Sequence, residues 1–167
     1  QEQLVRDTRI TQIYEGTNGV QAMDLMGRKV VANGGKLFEL FASEVSNFIE
    51  AELDNEAISH LLKPLAASVE RLSDTTEYVI SAAQSDPSAI GAAAVEYLDL
   101  FGLTAYAYMW ARMAKVAAPQ ASSDEFYDGK VKTANFYFAR ILPKSVSLVE
   151  SIKAGADEMM SLKEAQF

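Results

Sequence analysis

The sequence predicts an all-α fold: an up-down four-helix bundle preceded by a short helix-loop-helix segment. Three observations carry that reading. Apolar residues recur at three- and four-residue steps through most of the chain. Gly, Pro and Asn punctuate it into runs of helical length. One run, from Ser88 to Ala117, is apolar nearly all round, as a helix packed on more than one side requires.

The elements follow in order. Leu4, Val5 and Ile10 form the apolar side of a short helix end before Ile13. Residues 14–18 read as a loop, and a helix runs from about Gly19 to Val31 with Val20, Met23, Leu25, Met26 and Val30 apolar. Asn33-Gly34-Gly35 is a stop, because Asn and Gly tolerate the left-handed geometry that ends helices. A domain boundary is placed there, dividing 1–33 from 34–167. The next helix runs from about Lys36 to Leu53, and Asp54-Asn55 offers a cap for its successor. That successor carries a heptad seam: Ile58, Leu62, Leu65, Val69, Leu72, Thr76, Val79 and Ala83. Pro64 falls inside it, so either the helix starts near Leu61 with Pro64 in its first turn, or it kinks.

Ser85-Asp86-Pro87-Ser88 is a turn and cap, with Pro87 suited to the first helical position. In the long helix that follows, Gly91, Gly102 and several alanines are expected to admit close neighbours. Ala118–Ser123 is a loop around Pro119. The last helix is expected from about Glu125 to Ala154, bent or broken near Pro143 and ended by Gly155. The tail to Phe167 is expected to fray or to dock on a partner.

Composition narrows the function classes. The chain has 167 residues, enough for one domain with a sizeable core. Its 23 acidic and 15 basic residues give a net charge of −8, which disfavours nucleic acid and anionic membrane as partners. There are no cysteines, so disulfides and thiolate metal sites are excluded. The longest nearly uncharged run, Leu100 to Ala111, is too short to span a bilayer. A soluble chain is expected, cytoplasmic in origin.

The chemistry concentrates near the start. Arg6-Asp7-Thr8-Arg9-Ile10-Thr11-Gln12-Ile13-Tyr14-Glu15-Gly16-Thr17-Asn18-Gly19 leads directly into Val20-Gln21-Ala22-Met23-Asp24-Leu25-Met26-Gly27-Arg28-Lys29. The run resembles the segment of acyl-CoA dehydrogenases that carries the catalytic base. The resemblance implies that Glu15 abstracts the proton alpha to an acyl-CoA thioester, which needs a carboxylate made basic by a dry pocket. It implies that Gly16 lies by the substrate and that Thr17, Asn18 and Gly19 approach FAD. Thr17 is expected to cap the helix, whose N-terminal amides attract phosphate or flavin oxygens. The downstream region resembles, less specifically, the extra C-terminal helical domain of longer family members, through Asp24–Lys29 and Ala134–Pro143.

Members of that family have three domains, so the resemblance implies the C-terminal piece of a longer enzyme. The piece alone is expected to be inactive, without bound FAD. Electrons from the parent would pass to an electron-transfer flavoprotein or another acceptor, and a homo-oligomer, a dimer, is expected. The alternative is a non-catalytic helical oligomerisation module in which Glu15 has no role.

Other clusters carry less. A di-metal carboxylate site in a bundle needs Glu-x-x-His pairs. The single histidine, His60, has Glu56 four residues before it, so no metal site is expected and His60 reads as a surface or boundary residue. Trp110, Tyr106, Tyr108, Phe136, Tyr137 and Phe138 read as core plus interface. Tyr106 and Tyr108 cannot share a helix face. Glu70, Arg71, Glu96, Asp99 and Arg112 are candidates for pairs across the bundle.

Overall fold

A computed structural model describes residues 2–13 and 17–166. Those residues are mostly helical, with no strand among them. The helices are α1 (Glu2–Thr8), α2 (Asn18–Met23), α3 (Lys36–Ala51), α4 (Ser59–Ser85), α5 (Ser88–Ala117), α6 (Glu125–Phe136), α7 (Ser145–Lys153) and α8 (Asp157–Met160). Helix α2 runs on without a turn into a π-helical stretch, Asp24–Val30, and a short 3₁₀ turn, Val31–Asn33. A second π stretch, Tyr137–Ile141, and the 3₁₀ turn Leu142–Lys144 join α6 to α7. Helices α3, α4 and α5 and the composite α6–α7 are the four long members of the bundle. None of them is long and apolar enough to cross a membrane among the described residues.

Helix α5 is the hub. It touches α4, α6, α7, α2 and the first π stretch. Its inward residues Ala93, Ala94, Ala107, Ala111, Ala114 and Ala117 are almost solvent-free. Small side chains there let neighbouring helices approach, and Tyr97, Leu100 and Tyr108 fill the space between. The expected close approach at Gly91 and Gly102 does not occur, since a Cβ at either would meet nothing within 4 Å. Both glycines lie on the outward side of the helix, away from the core.

The α4 seam buries as predicted, from Ile58 through Val79. The buried stripe is wider than a heptad seam, because Leu61, Ser68 and Thr75 join it. Helix α4 begins at Ser59, so Pro64 sits in the second turn with its ring exposed. The missing N–H there leaves the His60 carbonyl facing water, which costs little on a solvent-exposed face. Asn55 does not cap α4. Its amide donates to Glu52 Oε2 at 2.8 Å and its Oδ1 accepts from Ala57 N, closing the α3–α4 turn instead.

The turn signals act as local chemistry dictates. Gly34, Gly35 and Gly155 all have positive φ. Asp86 accepts from the backbone and hydroxyl of Ser88 and so opens α5, which places Pro87 at the N-cap, one residue earlier than expected. Those bonds hold the Asp86 carboxyl below its ordinary pKa, the Ser88 hydroxyl contributing most. The final helix breaks where Pro143 removes a donor. The ladder loosens into the π stretch one turn earlier and restarts at Ser145.

Two buried clusters make up the core. One joins Val45, Ile58, Leu61, Leu65, Ala111 and Phe138 at the α3–α4 turn end of the bundle. The other joins Ala22, Met26 and Val30 to Phe38, Leu72, Val79, Tyr97 and Leu100. The segment after Thr17 therefore packs directly on the bundle.

Candidate functional site

Helix α1 carries Arg6 and Asp7 on an exposed surface. Gln3 donates to Asp7 Oδ1 at 2.6 Å, and Arg6 lies beside Glu2 and Gln3. No residue of α1 is buried. Leu4, Val5, Ile10 and Ile13 stay exposed, so an apolar row runs up to the motif loop. Glu15 and Gly16, the expected base and substrate contact, lie outside the described residues, as does Tyr14.

Thr17 stands at the N-cap of α2, with φ −91° and ψ −6°. Its carbonyl accepts from Gln21 N at 2.9 Å. The capping bond expected of its hydroxyl is not made. The backbone there is right-handed rather than extended, and that geometry does not aim the side chain at the following amides. Asn18 and Gly19 form the first turn, both exposed, and a Cβ on Gly19 would meet nothing within 4 Å. Thr17, Asn18 and Gly19 thus lie together at the exposed head of α2.

What positions this turn is the bundle. Ala22, Met26 and Val30 recur every four residues and are almost solvent-free. The turn's orientation is therefore fixed by α5. Gly27 also faces α5, where a Cβ would lie in ordinary contact, 3.7 Å from Ile90 Cγ2.

Three clefts of roughly comparable size lie elsewhere. One of 340 Å³ lies between Tyr78, Asp86, Ile152 and Gly155, where Tyr78 Oη donates to the Lys153 carbonyl at 3.1 Å. One of 460 Å³ lies between α3 and α4 beside Ile49, Glu50, Val69 and Asp74. The third, 320 Å³, lies between α4 and α7 beside Arg71 and Glu150. None includes Thr17, Asn18 or Gly19. No group of three potential metal ligands occurs among the described residues.

Several polar contacts bear on structure rather than chemistry. His60 is exposed, and its Nε2 lies 2.7 Å from Asn135 Oδ1, linking α4 to α6. Ser68 and Thr104 hydroxyls meet at 2.7 Å, fully buried between α4 and α5. Of the expected charge pairs, Arg71 instead donates to Ser145 Oγ at 3.1 Å, and Arg112 sits over the Tyr108 ring. The ion pair that joins distant helices among the described residues is Glu52–Lys115, which spacing alone could not reveal. Glu52 is 8 % exposed, and bonds from Asn55 and then Lys115 lower its pKa.

The aromatic set divides as the spacing demanded. Tyr108 is buried and Tyr106 is 64 % exposed; Tyr137 and Phe138 are buried while Phe136 is exposed. Burial pushes the Tyr97 and Tyr137 hydroxyls each up to about 12.

Comparison with known proteins fits this arrangement. A family model described as "Acetyl-CoA dehydrogenase C-terminal like" matches residues 41–163. The broad-specificity linear acyl-CoA dehydrogenase FadE5 of Mycobacterium tuberculosis is 30 % identical over 178 aligned positions, covering 99 % of this chain and 29 % of the relative. The 3-methylmercaptopropionyl-CoA dehydrogenase of Ruegeria pomeroyi is 31 % identical over 145, covering 84 % of this chain and 24 % of the relative. Butyryl-CoA dehydrogenase of Syntrophomonas wolfei is 22 % identical over 175, covering 99 % and 28 %. The chain spans less than a third of the length of these curated relatives. With the family model covering most of its length, the chain belongs to the acetyl-CoA dehydrogenase C-terminal like family.

Proposed function

We propose that this chain is the C-terminal part of a FAD-dependent acyl-CoA dehydrogenase, in which Glu15 is the base for α,β-dehydrogenation of an acyl-CoA thioester. The observation that carries the reading is an alignment running through 99 % of the chain, motif segment included, with a relative named as an acyl-CoA dehydrogenase. In this reading FAD, when bound, accepts the hydride from the β carbon. Glu15 takes the α proton, and the enoyl-CoA product keeps its thioester. Gly16 leaves room beside the thioester, where a side chain would crowd it. Thr17, Asn18 and Gly19 present the first turn of α2 to the cofactor. Electrons leave to an electron-transfer flavoprotein or a comparable acceptor.

The bundle holds that turn in place through Ala22, Met26 and Val30. Residues 1–33 would then close the catalytic domain and 34–167 form an appended helical domain. The 167-residue chain alone is inactive in this reading, because it spans less than a third of the length of the relatives named for the activity. Flavin absorbance and acyl-CoA-dependent dye reduction by the purified chain would overturn that.

The test of the main reading compares the longer parent with its Glu15→Gln variant. Both are mixed anaerobically with a panel of acyl-CoAs while flavin bleaching is followed. Bleaching that Glu15→Gln loses supports the reading. A FAD-bearing protein that bleaches with no acyl-CoA moves the weight to the second reading, a non-catalytic oligomerisation module. The exposed apolar side of α5 is the observation that favours that alternative.

A further inference from the structure

Ala22 is the first buried residue among those described. Every described side chain from Glu2 to Gln21 is exposed. Helix α2 buries Ala22 alone, and it is solvent-free. The head of α2, with the motif loop before it, is therefore tied to the bundle through one methyl group.

The seat of that methyl is built of small residues. Ala22 shares its buried cluster with Ala93 and Ala94 of α5, and α2 lies against α5. Small side chains on both helices let the backbones come close, and a packed core feels even one added methylene. A larger side chain at position 22 therefore forces a backbone to shift. Helix α5 is held by α4, α6 and α7. The head of α2 is held at one point, so it is the part that moves.

The direction of that movement follows from helix geometry. A helix advances about 100° per residue, which puts Thr17, five residues back, about 140° round from Ala22. Val20 lies on the same outward side and is 66 % exposed. Moving α2 off α5 thus carries Thr17, and the loop joined to it, away from the bundle. A misplacement of about 1 Å at reacting groups is enough to cost about 100-fold in rate.

Resting on the dehydrogenase reading, we infer that Ala22 is a positioning residue for the proton-abstracting loop. Its methyl sets how far Glu15 and Thr17 stand from the bundle, and a larger residue displaces them without unfolding it.

Two measurements test this. In the longer parent, Ala22→Leu is expected to lower kcat, counted per bound flavin, about 100-fold, while KM moves far less. Ala22→Ser, whose hydroxyl bonds the carbonyl one turn back, should stay within about threefold of wild type. Gln21→Leu puts the same bulk on the exposed side and should change neither constant. In the 167-residue chain, which has no cysteine, nitroxides on Val20→Cys and Asp99→Cys report the distance from α2 to α5. Ala22→Leu should shift that distance. The pair Asp99→Cys and Lys132→Cys, both on the bundle, should keep theirs. A shifted distance with unchanged kcat, or a fall in kcat with no shift, would overturn the inference. So would an equal loss for Gln21→Leu. A wild-type parent that bleaches with no acyl-CoA is instead a failure of the dehydrogenase reading, and the distance shift alone then decides whether Ala22 seats the loop.

Discussion

Thr76 Oγ1 and Tyr97 Oη meet at 2.7 Å in the core between α4 and α5. Thr76 Oγ1 also donates to the Leu72 carbonyl at 2.7 Å, so it accepts from the tyrosine. The two residues form one donor chain from α5 through α4, and each truncation leaves a different orphan.

Thr76→Val leaves the Tyr97 hydroxyl buried without an acceptor. Its expected cost is about 1–3 kcal/mol. Tyr97→Phe leaves Thr76 still bonded to Leu72, and the expected cost is about 0.5–1.5 kcal/mol. Urea unfolding of both variants checks the order. A larger loss for Tyr97→Phe would mean that the bond runs the other way.

Alkali should unfold the protein through its buried phenols. Tyr97 and Tyr137 are each pushed up to about 12 by burial. A group with a raised folded pKa supports the fold fully below its unfolded value, near 10, and loses that support as pH rises toward 12. Stability is expected to hold to about pH 10 and fall between 10 and 12. Tyrosinate absorbance beside helical circular dichroism should show ionisation and unfolding together. The Tyr97→Phe, Tyr137→Phe double variant should flatten the slope.

Glu52 works in the opposite range. Its lowered pKa means its bonds to Asn55 and Lys115 stabilise the fold above the ordinary value of 4.5 and are lost as pH falls through the folded value. Glu52→Gln should reduce the thermal midpoint at pH 7, and the deficit should shrink below pH 4.5. Lys115→Met should be the more harmful change, because it leaves the Glu52 carboxylate with Asn55 alone. A deficit for Glu52→Gln that is constant from pH 7 to pH 3 would rule this out.

Gly34 and Gly35 test the turn between the motif segment and α3. Both have left-handed backbone, so alanine at either costs about 1–2 kcal/mol. Gly35→Ala should cost more, because its Cβ would lie 3.3 Å from Ile80 Cδ1, while Gly34→Ala meets nothing within 4 Å. Paired chemical denaturation curves decide the order.

The parts of this fold that were legible in the sequence rest on local chemistry. The α4 seam, the stops at Gly34 and Gly155, and the break at Pro143 depend on residue type and spacing, which a chain displays directly. Pairings between distant residues are not displayed. Ser68 gives no sign that Thr104 is its partner, nor Glu52 that Lys115 waits 63 residues on. Gly91 and Gly102 misled for a related reason: small residues permit close approach, but only the packing decides which side a neighbour occupies. Asn55 is of a type that suits a helix cap, yet its amide donates to Glu52 instead. For the candidate site, Thr17, Asn18 and Gly19 are placed at the head of α2, while Glu15 and Gly16 stand on the sequence alone.

The π stretch from Asp24 to Val30 sets a rotational phase. Widening the turn by one residue keeps Ala22, Met26 and Val30 in a straight row, where an α-helix would let that row wind away from α5. Deleting one residue within 24–30 would restore the tighter winding. Ala22 lies ahead of that deletion and would keep its place in the row, because the closing turn absorbs the lost residue. Deleting a residue between Thr17 and Ala22, where no wide turn absorbs the loss, would instead swing Thr17 by about 100° around the helix axis while the bundle stayed folded. The wide turn thus takes up one residue of surplus length without re-aiming the motif loop.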